Sequence, residues 1–169
     1  VYGNREEDES SGVQAALDSG ASIVRAGDKK YLLTLPVTIP AGVKLKGNFA
    51  GHESPYKDQI NTTDSFKATT WIMRGTAQFK LSDNSAWEGG TLWYDQQNYD
   101  LQYDAGQPDG IEAWIDYPPA FEYIGQYSAV AVEKVVFLGG TRFFYAPTNK
   151  NPEKLHISRI YGYPLLVGV

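Results

Sequence analysis

Apolar and polar positions alternate in short runs along most of this chain, and helical spacing shows near its start. Val13, Ala16 and Leu17 fall at i, i+3 and i+4, the spacing that puts side chains on one helix face. This predicts a short capping helix over residues 10–19, with Ser10 or Ser11 as its cap and Gly20 as its stop. The acids Glu6, Glu7, Asp8 and Glu9 ahead of it read as a solvated lead-in that suits the positive end of the helix. Residues 22–26 read as a short apolar strand. Leu33, Leu35, Val37 and Ile39 then alternate with Thr34, Pro36 and Thr38, a period of two that predicts a strand, although Pro36 and Pro40 interrupt its pairing. Val43 and Leu45 alternate with Lys44 and Lys46, which should face solvent. Further strands are predicted over 70–74, 78–81 and 90–94, and from Phe121 the chain reads as strand, turn and strand to its end.

A near-repeat sharpens this picture. VEKVVFLGGTRFFY (132–145) and LHISRIYGYPLLVG (155–168) lie about 23 residues apart, and SAWEGGTLWY (85–94) is a looser copy. With β-branched and aromatic strands, a period of that size predicts a β-solenoid in which each turn buries its core against the next. The last copy runs to Val169, so the expectation is of the first few coils of a longer protein. Its C-terminal end would then pack on remaining coils or on a second polypeptide. Residues 1–169 read as a single domain. Residues 95–120 are its longest irregular stretch, an ordered excursion rich in tyrosine with Trp114 near its end.

Composition narrows the function. The net charge is −5, which argues against nucleic acid as a partner, since phosphate neutralisation needs a basic stripe. No apolar run reaches the length that crosses a bilayer, so no membrane partner is expected. The chain has no cysteine, which removes disulfides, thiolate zinc sites and thiol catalysis. His52 and His156 are its histidines, too few for a multi-histidine metal centre, and both read as surface or structural residues. Asp100, Asp104, Asp109 and Glu112 do not follow the every-second-position spacing of a calcium loop. No cofactor and no metal are therefore expected.

The opening segment SSGVQAALDSGASIVRAGDKKYLLTLPVTIPAGVKLKGN resembles the N-terminal cap of the pectate-lyase-like superfamily. The matching residues are 14–21, 28–33 and 37–47, and Val24-Arg25-Ala26-Gly27 departs from the usual Leu-Pro-Ala-Gly step. Three later segments look like one branch of that superfamily: 90–97, 116–119 and 159–165. Within the first of these, Asp95-Gln96 stands where Pro-Glu is more usual, so no catalytic role carries over to Gln96. The resemblance implies an all-β fold, a right-handed parallel β-helix with a short N-terminal capping helix. It also implies the N-terminal part of an exported, extracellular or periplasmic polysaccharide-active enzyme, a glycoside hydrolase or polysaccharide lyase. The rival reading is a non-catalytic glycan-binding or structural module, such as a fibre segment that trimerises. Outward Lys44, Lys46, Lys80, Thr34 and Thr38 favour a monomer over that trimer.

Residue chemistry adds candidates. Glycosidases need two carboxyl groups flanking a bond, and lyases need a base and a charge neutraliser. Asp95, Asp116 and Glu122, in or beside the 95–120 excursion, are the candidate catalytic acids, against the plain reading of a solvated polar segment. Trp93, Tyr94 and Trp114 are the candidate sugar-stacking aromatics, with Trp71 and Tyr117 weaker, against the plain reading of core residues. Lys134 and Arg142 are candidate neutralisers of uronate carboxylates, or ordinary strand cations. Gly89-Gly90 and Gly139-Gly140 read as tight corners, because no phosphate-loop spacing surrounds them.

Overall fold

Among the described residues the hydrophobic alternation is realised as eleven short strands and one helix. The computed structural model describes residues 7–49, 68–97 and 115–163. Helix α1 is Ser10–Leu17. The strands are β1 (Ile23–Arg25), β2 (Lys30–Leu33), β3 (Val37–Ile39), β4 (Lys44–Lys46), β5 (Thr70–Met73), β6 (Phe79–Leu81), β7 (Ala86–Trp93), β8 (Phe121–Tyr123), β9 (Ala129–Leu138), β10 (Phe144–Tyr145) and β11 (Lys154–Tyr163). Seven form one sheet along the path β1-β4-β7-β5-β2, with β9 added to β7 and β11 to β9. Four form a second sheet in the order β10-β8-β6-β3. The pairings in both sheets are parallel.

The expected right-handed parallel β-helix, a solenoid with a short N-terminal capping helix, is corrected by this topology. Among the described residues the regular elements are strands but for one short helix, and the strands lie in two separate parallel sheets of seven and four. The larger sheet branches at β7, whose residues 86–88 pair with β4 and whose residues 91–93 pair with β5. The single period also fails: the near-repeat aligns Val132 with Leu155, but the ladder pairs Val132 with Ile157. Spacing between paired residues is uneven elsewhere, since Ile23 meets Lys44 but Lys44 meets the much later Ala86. Sequence similarity there tracked a shared preference for glycine after an apolar run, and hydrogen-bond register is set by the strands themselves. The alternating run 33–39 is not one strand either. Leu33 ends β2 in the larger sheet and Val37 begins β3 in the smaller. Leu35 between them is 52% exposed, because Pro36 cannot donate to a ladder and the chain turns there.

The main core lies where the two sheets face each other. Leu45, Trp71, Trp87, Leu92, Val132, Val135 and Phe137 from the larger sheet meet Val37, Ile39, Phe79, Leu81, Phe121 and Tyr123 from the smaller. Its aromatic rings touch in sequence: Trp71 meets Phe79 edge-on, Phe79 stacks on Phe121, and Phe121 meets Phe143 edge-on. Burying each such ring contributes about 1.5–3 kcal/mol, and each ring pair roughly 0.5–1.5 more. A second, smaller cluster of Leu32, Ile72, Trp93, Val136 and Leu138, with Phe49 against it, lies on the opposite face of the larger sheet.

Helix α1 closes one edge of this assembly. Val13 and Leu17 are buried while Ala16 is exposed. The polar face does the closing. The Gln14 amide donates to Thr38 O at 3.1 Å and accepts from Thr38 N at 2.7 Å, standing in for a neighbouring strand at the edge of β3. Glu9 N donates to Leu32 O, and Ser10 Oγ accepts from the Thr34 and Leu35 amides. The helix cap residue is Glu9, without a side-chain cap. Asp8 instead accepts from Ser10 N and Ser10 Oγ, so the serine named as cap serves the strand edge.

Candidate functional site

Two polar regions are built by the larger sheet, one at the strand ends and one on its outward face. The first lies beyond the C-terminal ends of β5 and β7, the end of a parallel sheet where loops commonly form ligand sites. Ile72 pairs with Trp93, so two residues further on Arg74 and Asp95 stand side by side. They form a two-pronged ion pair: Arg74 Nε donates to Asp95 Oδ1 at 2.9 Å and Nη2 to Oδ2 at 2.5 Å. The Asp95 side chain is only 13% exposed. Asp95 holds the Arg74 guanidinium pKa above its ordinary range.

Tyr94 and Tyr117 lie behind this pair with ring centres 4.7 Å apart. Both rings are buried, and neither hydroxyl has a hydrogen-bond partner among the described residues. Burial pushes both phenols above their ordinary pKa, and the nearby Asp95 charge adds to the effect at Tyr117. Gln97 fixes the base of the excursion, since its amide accepts from Ile115 N and donates to Ile115 O and Gly139 O.

The sequence candidates are dispersed. Asp95 is neutralised by Arg74, and Asp116 is an exposed residue bridged to Arg142 at 3.0 Å. Glu122 lies on β8 in the smaller sheet, where it accepts from Gln78 Nε2 and sits 3.9 Å from Lys80. No contact among the described residues brings two of these carboxylates together. Trp93 is 6% exposed in the second apolar cluster and Tyr94 is 0% exposed in the main core, so burial leaves these rings little or no surface to offer a sugar. Trp114, with most of the 95–120 excursion and with His52, Asp100, Asp104, Asp109 and Glu112, lies outside the described residues. No group of three or more metal-binding side chains occurs among the described residues.

The second region centres on Glu88, which sequence reading missed. Alternation on β4 sends Leu45 inward and Lys44 and Lys46 outward. On β7 it sends Trp87 inward and Glu88 outward, directly beside Lys46. Glu88 is 8% exposed and receives three lysines: Lys44 at 3.0 Å, Lys46 at 3.5 Å and Lys134 at 2.5 Å. The hydrogen bonds from Lys134 and Lys44 hold its carboxyl well below the usual range, at about 2. Arg25 precedes this group in the same row of the ladder, and Glu133 and Ser158 follow it. His156 meets Glu133 at 3.1 Å. Exposed Arg159 occupies on β11 the position that Lys134 occupies on β9. Cations thus outnumber carboxylates along this face of a chain whose net charge is −5. The visible signal was Lys44-x-Lys46. Its partner Glu88 lies on a different strand, so spacing could not find it.

No family model, curated protein or solved structure matches this chain.

Proposed function

We propose that the chain is a polysaccharide-active protein whose described part binds an anionic glycan along the outward face of the larger sheet. The carrying observation is the row of Arg25, Lys44, Lys46, Lys134 and Arg159 on that face of an acidic chain. Adjacent strands in a sheet are about 4.8 Å apart, so Arg25 beside Lys46 and Lys134 beside Arg159 each present two neighbouring cations at about that spacing, with Glu88 and Glu133 between the two pairs. Glu88 takes up part of this charge and fixes three lysine side chains that would otherwise be mobile. The resemblance of residues 14–47 to carbohydrate-active proteins supports the same reading, and an exported location goes with it. The ion pairing of Asp95 and Asp116 favours binding over cleavage by these carboxylates.

Affinity electrophoresis through gels holding a polyuronate, a sulfated dextran or neutral dextran tests this. The proposal expects retardation by the anionic gels, weakened severalfold by raising salt from about 50 to 300 mM. Lys44→Ala with Lys46→Ala should abolish most of it. Equal mobility in every gel would overturn the proposal, and retardation by neutral dextran alone would overturn its anionic part. Binding to a DNA fragment as strong as to the glycans would move the assignment to polyanions at large.

A further inference from the structure

The charged face of the larger sheet is a strip with a length and a direction. One row of it runs unbroken through five neighbouring strands: Arg25, Lys46, Glu88, Glu133 and Ser158. Four steps of about 4.8 Å make it roughly 19 Å from β1 to β11. Along the strands the strip is narrow. On β4 it holds only Lys44 and Lys46, roughly 7 Å apart. Just past Glu88, Glu133 and Ser158 come the left-handed Gly89, Lys134 and Arg159. Further along, Trp93, Val136 and Leu138 are buried in the second apolar cluster. A sugar chain laid along a strand would leave the charge within two residues, whereas one laid across the strands meets charge from end to end.

The cations divide this strip into a centre and two ends. Lys44, Lys46 and Lys134 converge on Glu88 in the middle, one carboxylate for three ammonium groups. Arg25 stands at the β1 end and Arg159 at the β11 end, and both are exposed. Neither is held by an ion pair among the described residues. Glu133, the acid between the centre and Arg159, meets His156 at 3.1 Å. Small Ala86 and Ala131 in the adjoining row leave room above the sheet. Resting on the anionic-glycan reading, we propose that the glycan crosses the strands from Arg25 to Arg159 over the lysines gathered by Glu88. Its recognised unit is then an oligosaccharide with acid groups at three separated points, longer than a disaccharide. Once one point is held, the other two bind as intramolecular contacts, so weak contacts act together. Arginine suits the ends, because its planar fork grips an acid group with two hydrogen bonds.

Calorimetric titration with oligogalacturonates of two, four and six sugars, at about 50 mM salt, tests this. If only the sulfated gel retards the chain, sulfated malto-oligosaccharides of the same lengths take their place. The hexasaccharide should bind at least about 10-fold more tightly than the disaccharide. Arg25→Ala and Arg159→Ala should each weaken the hexasaccharide about 3- to 5-fold and the disaccharide less. Lys80→Ala removes an equal charge from the smaller sheet and should alter neither, with circular dichroism confirming the fold of each variant. Three outcomes would overturn the proposal: a hexasaccharide within about threefold of the disaccharide, end changes that weaken both lengths equally, or a loss from Lys80→Ala that matches theirs. If the anionic gels still retard the chain, those outcomes remove only the crosswise placement and leave the glycan reading standing. Absence of retardation in every gel removes both.

Discussion

Glu88 shows how much one side chain is set by strands it does not belong to. Its carboxyl titrates at about 2 against an ordinary 4.5. A group whose folded pKa is depressed contributes stability above its unfolded pKa, and the contribution fades as pH falls through the folded value. The window here is therefore about pH 4.5 down to about 2. A shift of this size corresponds to about 3 kcal/mol. Its lysine partners are 31–40% exposed, and solvent screening reduces the figure to roughly 1–2 kcal/mol. Glu88→Gln should thus lower stability by that amount at pH 7, and the difference from the parent should vanish near pH 2. Urea unfolding at both pH values measures it. An equal loss at both would mean that Glu88 acts through packing rather than charge. None of this was legible in the sequence, where Glu88 is an acid beside two glycines and its lysines lie on β4 and β9.

At the scale of elements, two glutamine amides act as pieces of backbone. Gln14 presents both a donor and an acceptor to Thr38 at the edge of β3. Gln14→Ala should cost about 1–3 kcal/mol, because it strands a donor and an acceptor together. It should also speed hydrogen exchange at the Thr38 amide above that at Ile39, and unchanged exchange at Thr38 would refute the capping role. Gln97 does the same for Ile115. Gln97→Ala should free the base of the 95–120 segment, and limited proteolysis should cut there several times faster while denaturant stability falls by about 1–2 kcal/mol. Helix existence and most strands were readable from periodicity, since Val13, Leu17, Leu45 and Phe79 each follow it into the core. The break of the 33–39 run across two sheets was signalled by Pro36 but outweighed by the alternation around it. The edge-closing role of Gln14 had no signal, because its partner is a backbone group far along the chain.

For the whole molecule, the decisive feature is a line of left-handed residues crossing the larger sheet. Gly89, Lys134 and Arg159 have φ of 85°, 58° and 55°. Each falls between two paired rows: Glu88, Glu133 and Ser158 on one side, Gly90, Val135 and Ile160 on the other. A left-handed residue in a strand breaks the strict alternation and resets which face its side chains take. On β1, β4 and β5 the same line is met by the ends of short strands, which is why the sheet looks branched at β7. Before the line the outward residues are Lys44, Lys46, Glu88 and Glu133; beyond it they are Ile72, Trp93, Val136 and Leu138. This line therefore separates the charged outward face, proposed above to bind glycan, from the second apolar cluster. Gly89 is required twice over, since a Cβ there or at Gly47 would strike the carbonyl oxygen of the other. Gly47→Ala should accordingly destabilise by more than about 2 kcal/mol.

Lys134 and Arg159 adopt the same strained conformation, which costs a non-glycine residue roughly 1–2 kcal/mol. Glycine would relieve that strain, offset in part by the greater freedom it gives the unfolded chain. The two sites should then diverge. Lys134 donates to the Glu88 carboxylate, so Lys134→Gly removes an ion pair along with the strain and should leave stability level or lower. Arg159 is exposed and no such pair opposes its removal among the described residues. Arg159→Gly should therefore raise stability by about 0.5–1 kcal/mol. Denaturant midpoints of the two variants at pH 7 decide the matter. If both glycines stabilise equally, the Lys134 bond to Glu88 contributes nothing. If Arg159→Gly destabilises, the left-handed turn of β11 at this position is held by the side chain rather than by the register of the strands beside it.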